Sequence, residues 1–301
     1  MRFDLSVLLA TLILPLAAPA QESPGLGPID IPVAIGQSVK EIRVPHHNAQ
    51  GKLSLRLNAE RAERSSSTEF TFGDLRIEIF GEEADKATLE VLLPEAVFDQ
   101  GTRRLVSNRR SVIKGETLEI TGSQLEFDID TRTSLLRGPV TMVVTAGLGP
   151  LAETRPLGSK TEITAQKEAT FDEQKNTAIF VGSVRVTDPS FLLSSDRLTV
   201  FLTADRSGIE RAVAEGNVVI VQRAAGEADE NKGAVGRAQR AEYLPADGRA
   251  TLSGSPEIQQ GINRHIATSP GTRMILHRDG RASTIGPSRT VITDASAPEL
   301  P

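Results

Sequence analysis

Asp172-Glu173-Gln174-Lys175-Asn176-Thr177 is a charged turn, and the alternating run Ala178-Ile179-Phe180-Val181 follows it. Gly182-Ser183 then opens a second alternating run, Val184-Arg185-Val186-Thr187. The same grammar returns three times. Asp205-Arg206-Ser207-Gly208 leads to Gly216-Asn217-Val218-Val219-Ile220, Pro245-Ala246-Asp247-Gly248-Arg249 to Gly254-Ser255-Pro256-Glu257-Ile258, and His277-Arg278-Asp279-Gly280-Arg281 to Gly286. The four glycines lie 34, 38 and 32 residues apart. Units this short cannot bury an apolar face alone, but stacked neighbours can. The repeat predicts an elongated all-β protein of antiparallel strands, with function in its long inner face and its open ends. It argues against a compact enzyme pocket.

Period-two alternation extends to the N-terminal half. Val39 to Val44, Leu53 to Leu57, Glu69 to Phe72, Leu75 to Phe80, Ala87 to Phe98, Thr117 to Thr121, Gln124 to Asp128 and Val140 to Val144 read as half-buried strands. Asn58 to Ser66 has helical leanings and reads as a loop or a single turn. Gly147-Leu148-Gly149-Pro150, with Pro156 and Gly158 beyond it, reads as a linker. The division expected is a leader at 21–37, a β module at 38–148, a second at 155–293 and a disordered tail at 294–301. Ala224 to Gly236 is acidic and reads as a solvated excursion between strands.

The first twenty residues have a processing pattern. Arg2, the apolar run Leu5 to Leu14 and Ala18-Pro19-Ala20 before Gln21 predict a cleaved secretory signal. The apolar run is short for a membrane span. A net charge of -5 gives no basic footprint for nucleic acid. Zero cysteines mean stability without disulfides, hence a sizeable core. One Tyr, no Trp and ten Phe make that core largely aliphatic and leave little to stack on sugar rings.

Catalytic patterns are poor. His46, His47, His265 and His277 have no metal-ligand spacing. The adjacent His46 and His47 read as a turn. Leu157-Gly158-Ser159-Lys160-Thr161 imitates the end of a phosphate-binding loop without its leading glycine. Asp196, Asp205, Asp247 and Asp279 are conceivable paired acids, but three of them, Asp205, Asp247 and Asp279, sit in turn sequences where Asp is favoured for backbone hydrogen bonds, and structural use is the expectation. The expectation is a non-enzyme with no metal and no cofactor.

Val184-Arg185-Val186-Thr187 and Arg197-Leu198-Thr199-Val200-Phe201 each put aliphatic residues on one face and polar ones on the other. Two such sheets can close into a filled sandwich or stay splayed as an aliphatic trough, and the pattern suits both. The outermost strands, Val39 to Val44 (Val39, Ile42, Val44) and Arg289 to Thr293 (Val291, Ile292), are free of proline. Unblunted edges of this kind are templates for strand addition by a partner.

Leu192-Leu193-Ser194-Ser195-Asp196-Arg197-Leu198-Thr199-Val200, Gly208 through Ile220, Arg237-Ala238-Gln239-Arg240-Ala241-Glu242-Tyr243 and Gly248 through Pro256 resemble the OstA-like, LptA-type domain of lipopolysaccharide transport, over roughly 160–290. More weakly, 38–145 resembles the LptC-type periplasmic domain, through Leu57-Asn58-Ala59-Glu60-Arg61-Ala62 and Ser123-Gln124-Leu125-Glu126-Phe127-Asp128. The resemblance implies a twisted β jelly roll, open along one side, holding acyl chains and stacking by edge strands to carry lipopolysaccharide across the periplasm. It implies lipopolysaccharide, other OstA-like proteins and further copies of this chain as partners. Expected groove residues are Val184, Val186, Leu198, Val200, Val218, Ile220, Leu252, Ile258 and Ile275. The chain departs from the pattern by having two modules in tandem and no LptC-type transmembrane helix. The alternative is a closed β scaffold, or a carbohydrate-interacting β-repeat protein, with no lipid groove.

Overall fold

Residues 31–48, 50–81, 86–145, 160–204, 206, 208–222 and 233–292 are described by the computed structural model. The expected signal segment, the linker, most of the leader and of the acidic excursion, and the tail lie outside them. All regular structure described is strand, in one continuous antiparallel sheet. In chain order the strands are β1 (Ser38–His47), β2 (Leu53–Arg64), β3 (Glu69–Phe80), β4 (Ala87–Asp99), β5 (Arg104–Ser107), β6 (Ser111–Gly115), β7 (Leu118–Gly122), β8 (Gln124–Asp128), β9 (Thr133–Arg137), β10 (Val140–Val144) and β11 (Thr161–Ala165). They continue as β12 (Glu168–Asp172), β13 (Thr177–Thr187), β14 (Phe191–Leu202), β15 (Ile209–Gln222), β16 (Ala234–Leu244), β17 (Arg249–Ser253), β18 (Glu257–Gln260), β19 (Asn263–Ala267), β20 (Arg273–His277), β21 (Ala282–Ile285) and β22 (Ser288–Ile292).

The pairing folds this sheet lengthwise into two walls. The N-terminal part of β4 pairs with β6, and the ladder continues through β7, β10 and β11 to the end of β13. The C-terminal part of β4 pairs with β5, and a second ladder runs through β8, β9 and β12 to the beginning of β13. After the long strands β13 to β16 the walls separate again. One ends in β18, β19 and β22, the other in β17, β20 and β21. The long strands cross from wall to wall, and short strands consecutive in the chain, such as β5 and β6 or β7 and β8, lie on opposite walls with the same corner between them.

The repeated glycines build that corner. Gly182, Gly216, Gly254 and Gly286 all have positive φ, and Ser183, Asn217 and Ser255 follow with φ of 45–57°. The ladder loses register there, between Val181 and Val184 and between Glu215 and Val218. At Gly182 (φ 89°) a Cβ would lie 2.5 Å from Lys167 Cγ, so neither the backbone nor the space admits a side chain. In the N-terminal long strands the corner falls at Glu41 (φ 54°), Asp74 (φ 49°) and Pro94, where the pairing of β1 to β4 skips a residue. Pro94 sits between the stretches of β4 that pair with β6 and β5, where no ladder donor is required.

Several expectations are corrected. Asn58 to Arg64 is not a loop but the second half of β2. The skipped residue Glu60 resets the parity, so that Ala59 and Ala62 both turn inward and the run loses its alternation. The first strand extends to His47 and contains Pro45. His46 and His47 are its last residues, His46 buried and His47 exposed. The short strands β5 and β9 have too few alternating residues to stand out in sequence. The core is not uniformly aliphatic: Phe70, Phe72, Phe98, Phe127, Phe171 and Phe180 are among its largest fully buried side chains, and all line the wall of β5, β8, β9 and β12. The facing wall is mainly aliphatic, with Phe80 buried at one end of it and Phe191 half-buried further along.

Candidate functional site

The inner faces of the two walls enclose one apolar cluster that runs from Ile31 to Leu276. Eight of the nine expected groove residues belong to it: Val184, Val186, Leu198, Val200, Val218, Ile220, Leu252 and Ile258 are each no more than 5% exposed. Ile275 does not. It faces Thr251 on the outer side of β20, while Met274 and Leu276 point inward beside Leu252 and Ala250. Strand parity, read one residue out of step, put Ile275 on the wrong face.

The walls meet. These aliphatics are buried, so among the described residues no open trough runs between the walls. The edge of the interior away from the corner is a seam between two rows of turns, and side chains hold it shut. Thr117, at the β6–β7 turn, donates through Oγ1 to the carbonyl of Arg206, at the β14–β15 turn on the other wall, at 3.0 Å. The Arg206 guanidinium reaches Thr88 Oγ1 (3.4 Å), Asn176 Oδ1 (2.8 Å) and Glu173 Oε1 (2.7 Å). Glu173 also accepts from Arg132 Nη1 at 3.3 Å and is almost fully buried. Further along, Gln222 Nε2 donates to the His277 carbonyl at 2.6 Å, and Gln260 Nε2 to the Gly280 carbonyl.

Between the Arg206 cluster and these glutamines the seam has an apolar cleft of about 50 Å³. Phe191, Leu193 and Ile220 line it from one wall, Tyr243, Ala250 and Leu276 from the other. The Phe191 and Tyr243 rings lie 5.4 Å apart, and Gln222 and Arg278 stand at its rim. Nothing in the sequence marks Arg206, Gln222 or Arg278 as part of a site, because each lies in or beside a turn that reads as solvated.

The two terminal edges differ. Among the described residues β1 pairs only with β2, and Val39, Ile42 and Val44 turn inward, half-buried or buried, with Pro45 in the same strand. Among the described residues β22 pairs only with β19, and it is exposed throughout, including Val291 and Ile292, the latter 71% exposed. The neighbouring β21 exposes Ile285. The C-terminal edge is therefore apolar and unblunted, while the N-terminal one is partly blunted by proline and charge.

Groups with catalytic potential are dispersed. His265 Nδ1 contacts Thr290 Oγ1 and His277 Nε2 contacts Ser283 Oγ, at 2.9 and 3.0 Å. Asp247 pairs with Arg249. Asp279 accepts from the backbone N–H and the guanidinium of Arg281, which hold its carboxyl below the usual range. Asp196 accepts from Asn217 Nδ2, and Asp205 lies outside the described residues. Thr161 Oγ1 donates to Asp188 at 2.6 Å and belongs to a strand, not a phosphate loop. Among the described residues, no three His, Asp or Glu side chains converge as metal ligands would.

Residues 162–279 match the family described as LptA/(LptD N-terminal domain) LPS transport protein. This stretch is thus an OstA-like, LptA-type domain of lipopolysaccharide transport proteins. The chain is also similar to the crystal structure of LptH, the LptA homologous periplasmic component of the conserved lipopolysaccharide transport device from Pseudomonas aeruginosa, at 16% identity and a TM-score of 0.38, covering 44% of this chain and 95% of that one. No curated protein matches the sequence.

Proposed function

We propose that this protein is a non-enzymatic, exported component of the lipopolysaccharide transport path, working in the periplasm after signal cleavage. Acyl chains are held between its two walls, and neighbouring OstA-like proteins or copies of this chain add strands to its edges. The observation that carries this reading is the family match over 162–279, a stretch that contains all eight inward groove residues. The all-β, two-walled form and the exposed β22 edge support it. The walls form a ladder on both sides of 146–159, and two modules meeting there, at 38–148 and 155–293, remain part of the proposal.

The closed interior adds a requirement: to take a chain, the walls must part at the seam. Each methylene moved from water into that interior contributes roughly 0.8 kcal/mol, so several acyl chains supply enough to break the few hydrogen bonds of the seam, worth about 0.5–3 kcal/mol each. The filled core also favours a second reading, a sealed scaffold that uses only its outer surface. Photo-crosslinking separates the two. A crosslinker at Val200, fully buried, is expected to label with lipopolysaccharide far more than one at exposed Arg185. Equal labelling at both positions means that the interior holds no lipid.

A further inference from the structure

We infer that the cleft between Phe191 and Tyr243 is a side entrance for the chain of an anionic amphiphile, with Arg278 receiving its charged head. The inference rests on the lipid-binding reading and gives it a place of entry. The described seam is bonded on either side of this cleft, by Arg206 toward β7 and by Gln222 and Gln260 toward β19, and between them the apolar interior comes to the surface. At about 50 Å³ the cleft has room for one or two waters, and its lining is overwhelmingly apolar, which suits a hydrocarbon end better.

Two polar features select the head. Arg278 is exposed at the rim, anchored by its backbone N–H to the Gly248 carbonyl at 2.8 Å, with its stem packed over Gly248. The carboxylates beside it are engaged elsewhere, Asp247 with Arg249 at 2.9 Å and Asp279 with Arg281 at 2.7 Å. Arg278 has no carboxylate partner among the described residues, and a guanidinium in that state binds phosphate or carboxylate oxygens well. Gln222 contributes the second feature. Its Nε2 is engaged with the His277 carbonyl, whereas its Oε1 is buried and has no donor among the described residues. A buried acceptor left unpaired costs free energy, and a hydroxyl or amide N–H near the amphiphile's head would satisfy it. The class fitted is therefore an acyl chain with an anionic head and a nearby donor.

The chain has no tryptophan, so Tyr243→Trp places a single reporter in the cleft. Titration with dodecyl phosphate below its micelle concentration is expected to change the emission saturably. Inorganic phosphate is expected to leave it unchanged, and dodecyl maltoside, with the same chain and no charge, to bind several-fold more weakly. Arg278→Gln in the same background is expected to lower dodecyl phosphate affinity by about tenfold, one charge-assisted contact's worth. Because Arg278 is exposed, that variant keeps the fold. The thermal upshift of the otherwise unaltered chain with dodecyl phosphate, reduced in Arg278→Gln, gives a readout independent of the tryptophan. Unchanged affinity in Arg278→Gln, or equal binding of dodecyl maltoside, overturns the inference. Labelling at Val200 with no Arg278 dependence would leave the interior reading intact and remove only this entrance. Arg278-dependent binding without labelling at Val200 would do the opposite.

Discussion

At Gly182 a single missing methyl group decides where a long strand can turn a corner. The residue has φ 89°, and a Cβ would press on Lys167 Cβ and Cγ, atoms too near the backbone to swing away. Gly182→Ala is expected to lose about 1–3 kcal/mol, read as a lower urea midpoint with an unchanged slope. His46 shows the opposite kind of constraint, a polar group held where it lacks a partner. Its Nε2 is buried without a hydrogen bond among the described residues; burial, then the charges of Arg103, His47 and Arg132, push its pKa below 6.5. The folded chain thus resists a proton that the unfolded chain accepts. The stability His46 allows is whole above about pH 6.5 and declines as pH falls from there toward its folded value. The melting temperature should fall more between pH 7 and pH 5 in the native sequence than in His46→Phe. Parallel curves would show that His46 titrates normally.

Among the elements, β22 has the most to give a partner. Thr268 N–H bonds the Pro287 carbonyl, so by alternation along the regular β19–β22 ladder the Val291 N–H points toward β19 and the Thr290 N–H points to the free edge. A proline at Val291 would damage the sheet itself. Thr290→Pro removes an outward donor and leaves the ladder to β19 in place. If edge pairing drives assembly, Thr290→Pro should shrink the oligomers seen by light scattering while the circular dichroism spectrum holds; oligomers of unchanged size would exclude this edge as the contact. The strands were legible in sequence wherever alternation ran unbroken, as in Leu75 to Phe80 or Val140 to Val144. Corners hid the rest. A skipped residue such as Glu60 reverses the parity, and a glycine such as Gly216 splits one strand into what reads as two. The inward residues near Gly182 and Gly216 were placed correctly because the corner itself was visible as a repeated glycine. Ile275, in a five-residue strand between turns, had no such mark. The seam was beyond reach, since Arg206 and Thr117 are far apart in sequence and their contact depends on how the two walls cross.

Over the molecule as described, one sheet folded along a glycine-marked corner yields an interior whose opposite side is joined, among the described residues, by a few polar contacts. Those contacts are unequal to the corner, where covalent chain crosses repeatedly from wall to wall. Separation would therefore begin at the seam, with the corner as hinge. Arg206 is the hub of the N-terminal part of that seam, tying Thr88 and Thr117 to Asn176 and Glu173. The transport account requires this seam to open when lipid is bound, and the sealed-scaffold account requires it to stay shut. With no native cysteine, spin labels at Glu116→Cys and Lys175→Cys, exposed turn residues on opposite sides of the seam, report the distance directly. The pulsed electron spin resonance distance between them should lengthen when lipopolysaccharide is added to saturation and return when it is extracted. A distribution that stays where it was, with lipopolysaccharide demonstrably bound, would contradict entry between the walls.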